Sequence, residues 1–299
     1  MSDALAALRD HARSTYLSVL LAPANKRDDL VALASFLLEL ARVPAIVSEP
    51  ATGEIRLQWW AEVARGLRDE EGRGHPVGAE LLRMIESHNL PREPLAAIAE
   101  ARSFDLYSDA VPDREALETY AGEVGSVPLQ MACRILDPDA ARGSATAAGH
   151  LGVFAVLTDR LATLARDRRE GPIFVPEEAL VANWSSPEAL RGELDGEARE
   201  AAMAAIRSTI ALADEHLKNG LEATRLLPRS LAPAFAPALA RRPKFEAVGR
   251  AGDRTLDVVV ECGPLAEQFA VSRAARAFTP GPNLLGRLRE GWLGRPGPR

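Results

Sequence analysis

The chain has 299 residues, enough for one large domain or two ordinary ones, and 47% of them are hydrophobic, which excludes a disordered polypeptide. Aromatic residues make up 5% while Ala and Leu are abundant, which favours helix over sheet. The formal net charge of −6 gives a nucleic-acid partner no electrostatic support. Cys133 and Cys262 stand far apart in no ligand-like spacing and fit small apolar fillers in a reducing compartment. The N-terminus has no long apolar run after a basic cluster, so no signal peptide is expected. The longest apolar window, Leu30 to Val47, is interrupted by Glu39 and Arg42, so no membrane span is expected either. These features describe a soluble, cytoplasmic, mostly helical protein.

In chain order, Asp3 to Leu21 carries Leu5, Leu8, Ala12, Tyr16 and Val19 at helical spacing and reads as one amphipathic helix closed by Pro23. Leu30 to Val43 is almost continuously apolar, a helix buried on most sides, and Pro44 should kink or stop it. Glu54 to Leu67 places Leu57, Trp60, Val63, Ala64 and Leu67 on a core face. A polar stretch, Asp69 to Gly78, reads as a separator before a helix over Ala79 to Asn89. Further helices are predicted over Pro94 to Tyr107, Arg114 to Leu136, Ala140 to Arg168 with a break, Pro187 to Asn219, and Ala232 to Ala240. The glycines Gly122 and Gly125 lie inside a helical pattern and read as points of close helix packing. The run Thr255 to Val260 is β-branched but too isolated to make a sheet. Residues 280 to 299 form a Gly/Pro/Arg-rich tail with Leu284, Leu285, Leu288 and Trp292 on one helical side. From Gly281 onward it carries four Arg against one Glu. Such a tail is expected to be solvated, with peripheral contact to a membrane or partner as the alternative.

Three segments together resemble a known family. The first is YLSVLLAPANKRDDLVALASFLLELARV, with Arg27 after its APA turn, followed by EPATGEIRLQWW. The second is ARSFDLYSDAVPDREALETYAGEVGSVPLQ, which includes Arg102, Asp105, Tyr107 and Tyr120. The third is HLGVFAVLTDRLATLARDRREGPIFVPEEAL. In this order and separation they resemble the squalene and phytoene synthases, and more narrowly the branch that holds the complex I assembly factor. The resemblance covers roughly residues 13 to 220. It implies a single-domain, all-α, isoprenoid synthase-like helical bundle over residues 1–279. Working members of the family join two prenyl diphosphates, with Mg²⁺ held by two aspartate-rich helices. Carboxylates at i and i+4 share a helix face, two such helices offer hard oxygen ligands, and the metal neutralises the leaving diphosphate.

The residues at those positions depart from the pattern. After the family's Arg, here Arg42, the acid positions of the first motif are Pro44, Ala45 and Ser48, and only Glu49 remains nearby. In the second motif Asp159 stands where the family has Asn, Ala162 and Thr163 replace the central Arg-Asp, and Asp167 remains. The two acids lie about 12 Å apart along a helix, too far to chelate one ion alone. Paired with Arg160, Arg166 or Arg169 on a solvated face, they need no metal. Trp59 and Trp60 read as helix packing before cavity lining, and Tyr107 and Tyr120 as packed aromatics with satisfied hydroxyls. The weak candidates for a residual catalytic set are Glu49, Asp159 and Asp167. For ligand binding they are Arg27, Arg42, Arg56, Trp59 and Tyr120, with Arg102 a further anion-site candidate because Arg binds phosphate bidentately. Structural ion pairs of Arg42, Arg56 and Arg102 with Glu39, Glu49, Glu54 or Asp105 compete with that role.

The five histidines are scattered without metal-ligand spacing, and neither a P-loop nor a nucleophile elbow is present. The expected function is therefore a catalytically degenerate member of the family. It would act without a cofactor as a binding or assembly protein for a respiratory complex, peripheral to the inner membrane. The alternatives are an active Mg²⁺-dependent prenyl transferase and a metal-free protein that binds an isoprenoid or other lipid.

Overall fold

The computed structural model, which describes residues 2–274, 276 and 278, begins with two short helices where the apolar spacing suggested one. α1 (Ser2–His11) and α2 (Arg13–Leu21) are separated at Ala12, whose φ of −143° and ψ of 57° are not helical. Pro23 leads into α3 (Ala24–Ile46), in which Leu30 to Ala34, Phe36, Leu40 and Val43 are buried. Pro44 stands inside its last turn, and the helix ends within three residues of it. α4 (Pro50–Arg65) starts on Pro50 and stops at Gly66, whose φ of +89° a side chain would strain. Leu67, expected on the core face, is exposed.

The polar stretch after it is helical: α5 (Asp69–Gly74) leads directly into α6 (Pro76–His88). Gly72 fits closely beneath Val63, and the His75 ring accepts the Gly78 N–H as an N-cap. α7 (Arg92–Ala101) passes into a 3₁₀ turn over Arg102–Leu106. α8 (Arg114–Ala121) and α9 (Val127–Leu136) are joined by a π-helical segment, Gly122–Ser126. After α10 (Pro138–Ala141) comes α11 (Ala145–Glu170), then the short α12 (Glu177–Ala182) and α13 (Pro187–Arg191), and α14 (Gly196–Thr224). α15 (Ala232–Leu239), α16 (Arg242–Ala251) and α17 (Pro264–Ala274) complete the described chain. The β-branched run after Thr255 begins in a 3₁₀ turn and forms no strand. An isolated bridge, Ala110 with Ile173, ties the approach to α8 to the segment after α11.

The result is a single all-α domain with one continuous apolar core. α11 is its axis, packing against α14, α9, α15, α16 and the π segment. Its C-terminal end is fixed by a buried cation: Arg168 donates to the carbonyls of Leu256, Leu190 and Gly192 at 2.9, 2.6 and 2.8 Å. Both cysteines are free. Among the described residues no helix is long and apolar enough to cross a membrane. The expected tail over residues 280–299 lies outside the described residues.

The fit of α11 makes opposite predictions for two of its glycines. A Cβ on Gly152 would lie 2.3 Å from the Ser126 backbone nitrogen, whereas one on Gly149 meets nothing within 4 Å. Gly152→Ala is expected to cost about 3 kcal/mol or more through backbone overlap. Gly149→Ala should stabilise by about 0.5–1 kcal/mol by removing backbone freedom. Urea unfolding of the two variants checks both signs.

Candidate functional site

A cleft of about 830 Å³ opens between the C-terminal turns of α3 and the C-terminal half of α11. On the α3 side the wall is Ala41, Pro44, Ala45, Ser48 and Glu49; on the α11 side it includes Asp159, Thr163 and Asp167. The two degenerate motif segments therefore face the same space. Glu49 precedes α4 at the rim and is exposed.

Each α11 acid already has partners. Asp159 receives Arg241 Nε at 3.1 Å on one oxygen and Lys244 Nζ at 2.9 Å on the other. Burial works against its negative charge, yet the two cations hold its carboxyl below the usual carboxylate range. Asp167 accepts the Thr163 hydroxyl at 2.6 Å and pairs with Arg166 at 2.8 Å. Pairing with Arg166 agrees with the sequence reading. Asp159 chooses partners 82 and 85 residues away, not its neighbour Arg160. The solvated face expected for these acids is instead a cleft wall, with Asp167 only 7% exposed.

Arg160 belongs to a second network at the cleft's inner end. Its guanidinium lies 4.1 Å from the Phe174 ring centroid and donates to both Asp105 and the Tyr120 hydroxyl. Tyr120 donates to Asp105 at 2.7 Å, and Arg102 donates to the other Asp105 oxygen at 2.9 Å. Burial pushes the Tyr120 hydroxyl up to about 12, so it stays protonated as a donor. Phe104, Tyr120 and Phe174 pack ring against ring around this centre. Arg102 Nε is buried without an acceptor.

The structure thus brings Glu49, Tyr120, Asp159 and Asp167 to one cleft. Arg27, Arg42, Arg56 and Trp59 lie outside its lining. Arg27 donates to the carbonyls of Ala22 and Leu20, closing the end of α2. Arg42 and Arg56 are exposed. Trp59 packs edge-on against Trp60 and His75 and donates its indole N–H to Glu71 at 3.0 Å, while Trp60 is buried against Phe36. Tyr107 donates to Glu54 at 2.7 Å. Sequence reasoning missed Arg241 and Lys244. The available signal was two cations three residues apart, on one helical face.

The donor set does not fit the Mg²⁺ of working prenyl transferases. Among the described residues no group of three or more His, Cys, Asp or Glu side chains is placed to hold a metal. On the α3 wall Pro44 and Ala45 offer no ligand, and a Ser48 hydroxyl is weak beside a carboxylate. On the α11 wall the carboxylates are already engaged by the protein's own cations.

Comparison with known proteins places this geometry. A family model, squalene/phytoene synthase, matches residues 8–266. The chain is 28% identical over 234 residues to complex I assembly factor 6 of NADH dehydrogenase (ubiquinone) from Bos taurus, covering 78% of this chain and 69% of that protein. The Homo sapiens counterpart is 28% identical over 229 residues, with coverage of 76% and 67%. A crystal structure of a dehydrosqualene synthase in complex with ligand superposes with a TM-score of 0.72 at 15% identity, covering 92% of this chain and 95% of that one. A squalene synthase from Alicyclobacillus acidocaldarius gives 0.66 at 17% identity, covering 84% and 93%. With the helical bundle, the two motif segments facing one cleft and the family match over most of its length, the chain belongs to the squalene/phytoene synthase family.

Proposed function

We propose that this protein uses the family's bundle for binding and not for prenyl transfer, as an assembly factor for a respiratory NADH dehydrogenase. The observation that carries the reading is the neutralisation of the α11 carboxylates from within, Asp159 by Arg241 and Lys244 and Asp167 by Arg166. A divalent ion entering the cleft would have to displace tethered cations to gain those oxygens. The likeness to complex I assembly factor 6 supports the assembly half of the proposal. In this reading the chain works peripherally at the membrane that carries the respiratory enzyme, with residues 280–299 as its contact.

A second reading is favoured by the cleft itself: at about 830 Å³ it stays open where a redundant site could have collapsed. That volume suits a metal-free isoprenoid or other lipid ligand. Native mass spectrometry of gently purified protein would find such a ligand as a discrete added mass.

Purified protein given Mg²⁺ and prenyl diphosphates is expected to release no pyrophosphate above a heat-killed control. Turnover would restore the alternative of an active transferase. Deleting the gene in its source cell is expected to lower assembled, active NADH dehydrogenase while leaving the other respiratory enzymes intact. Unchanged assembly refutes the assembly role.

The ion pair behind the proposal has its own signature. A depressed carboxyl contributes stability while it is ionised in both states, above about pH 4, and that contribution is lost as the pH falls through the folded-state value. Asp159→Asn should therefore unfold at lower urea than the parent at pH 7, with the gap narrowing as the pH falls below about 4. A gap that persists at low pH contradicts the assignment.

A further inference from the structure

Away from the cleft, α11 meets α14 and α8 at a cluster of imidazoles. His150 Nδ1 and His216 Nδ1 face each other at 3.1 Å, and His216 Nε2 lies 2.8 Å from Glu118 Oε1. Glu118 accepts from Arg114 as well. With Nε2 donating to this carboxylate, a neutral His216 ring keeps Nδ1 as a lone pair on the side of the facing ring. The contact between the rings is a hydrogen bond from one Nδ1 to the other, so His150 needs only to carry its proton on Nε2 to present its own Nδ1 lone pair.

Once the shared proton is moved away, the two facing Nδ1 atoms suit one borderline-soft cation. Imidazole nitrogens at about 2.0–2.1 Å from a tetrahedral ion stand about 3.3–3.4 Å apart, close to the spacing already present. The Glu118–His216 contact is the carboxylate–histidine arrangement that orients a metal-bound imidazole. The ion would not be shut in. Both rings border an open groove of about 520 Å³ lined also by Gly122, Ser126 and Gly149, and built partly on the π segment. No residue lining this groove lines the cleft. We infer that His150 and His216 form a second site, which takes a single divalent transition-metal ion such as Zn²⁺, with water or a groove-bound ligand completing its coordination. With two protein ligands it is a weaker, exchangeable site than the closed four-ligand kind.

The inference stands apart from the assembly reading and is tested separately on untagged, full-length protein by calorimetric titration with Zn²⁺. One ion per chain is expected. His150→Ala should weaken binding at least tenfold, and Glu118→Gln should weaken it about 10–100-fold without abolishing it, as loss of an orienting carboxylate does. His88→Ala, whose ring is held by Asp29 elsewhere, should bind as the parent does. Titration with Co²⁺ supplies a readout that folding defects do not mimic, since nitrogen ligation in a tetrahedral field gives intense visible bands absent from the aquo ion. Failure of the parent to bind, or unchanged binding by a folded His150→Ala, overturns the site.

Discussion

A side chain at position 152 has nowhere to go, and much of this architecture follows from that. The backbones of α11 and the π segment approach so closely at Gly152 and Gly125 that a Cβ on either would strike main-chain atoms of the other at 2.3–2.5 Å. Ser126 closes the junction by donating its hydroxyl to the Gly149 carbonyl at 2.8 Å. On another side Gly220 of α14 admits Leu151, whose Cδ2 would lie 2.7 Å from an added Cβ. Held between two glycine contacts, α11 cannot easily rotate or slide. Asp159 lies seven residues beyond Gly152, almost two whole turns, and so on the same stripe of the helix. The contact that seats α11 therefore also turns Asp159 and its neighbours toward α3.

What the cleft does with those acids is a matter of electrostatics. A working prenyl transferase needs carboxylates whose countercharge arrives with the metal and the diphosphate. Here the countercharge is covalently attached. Arg241 and Lys244 reach Asp159 from the start of α16, and Arg102 and Arg160 meet on Asp105. Ion pairs of this kind contribute little net stability, because desolvation offsets most of the attraction, but removing one partner leaves the other charge stranded. Their effect is to fix geometry: α16 is tied to α11, and Phe104, Tyr120 and Phe174 are packed around a guanidinium.

The long helices were legible from apolar spacing, and the bundle from the order of its motifs, because both leave local patterns. Trp60 in the core and Trp59 half-buried beside it follow from two adjacent positions pointing about 100° apart on a helix. The short helix α5 was harder to see. α5 has no apolar stripe and depends on Gly72 lying under Val63, a contact that leaves no periodicity. The break at Ala12 interrupts a sequence whose spacing continues through it. Arg27 shows a different limit: an arginine that binds an anion and one that caps α2 carbonyls read alike in a sequence. The partners of Asp159 lie beyond the family motifs, where only the folded chain reveals which cations return to α11.

α11 also shows how one helix can carry two kinds of polar chemistry without mixing them. Its N-terminal turns present Thr146, Gly149, His150 and Val153 to the groove, while its C-terminal turns present Asp159, Thr163 and Asp167 to the cleft. Between them Phe154 and Leu157 are fully buried. The acids are paired with the protein's own cations, which hold the Asp159 carboxyl below the usual carboxylate range. The imidazoles hydrogen-bond to one another and to Glu118, and their state depends on the proton or cation offered to them. Of the two polar regions on this helix, the one whose charge is not already settled by the fold is the histidine cluster, the region the family motifs do not mark.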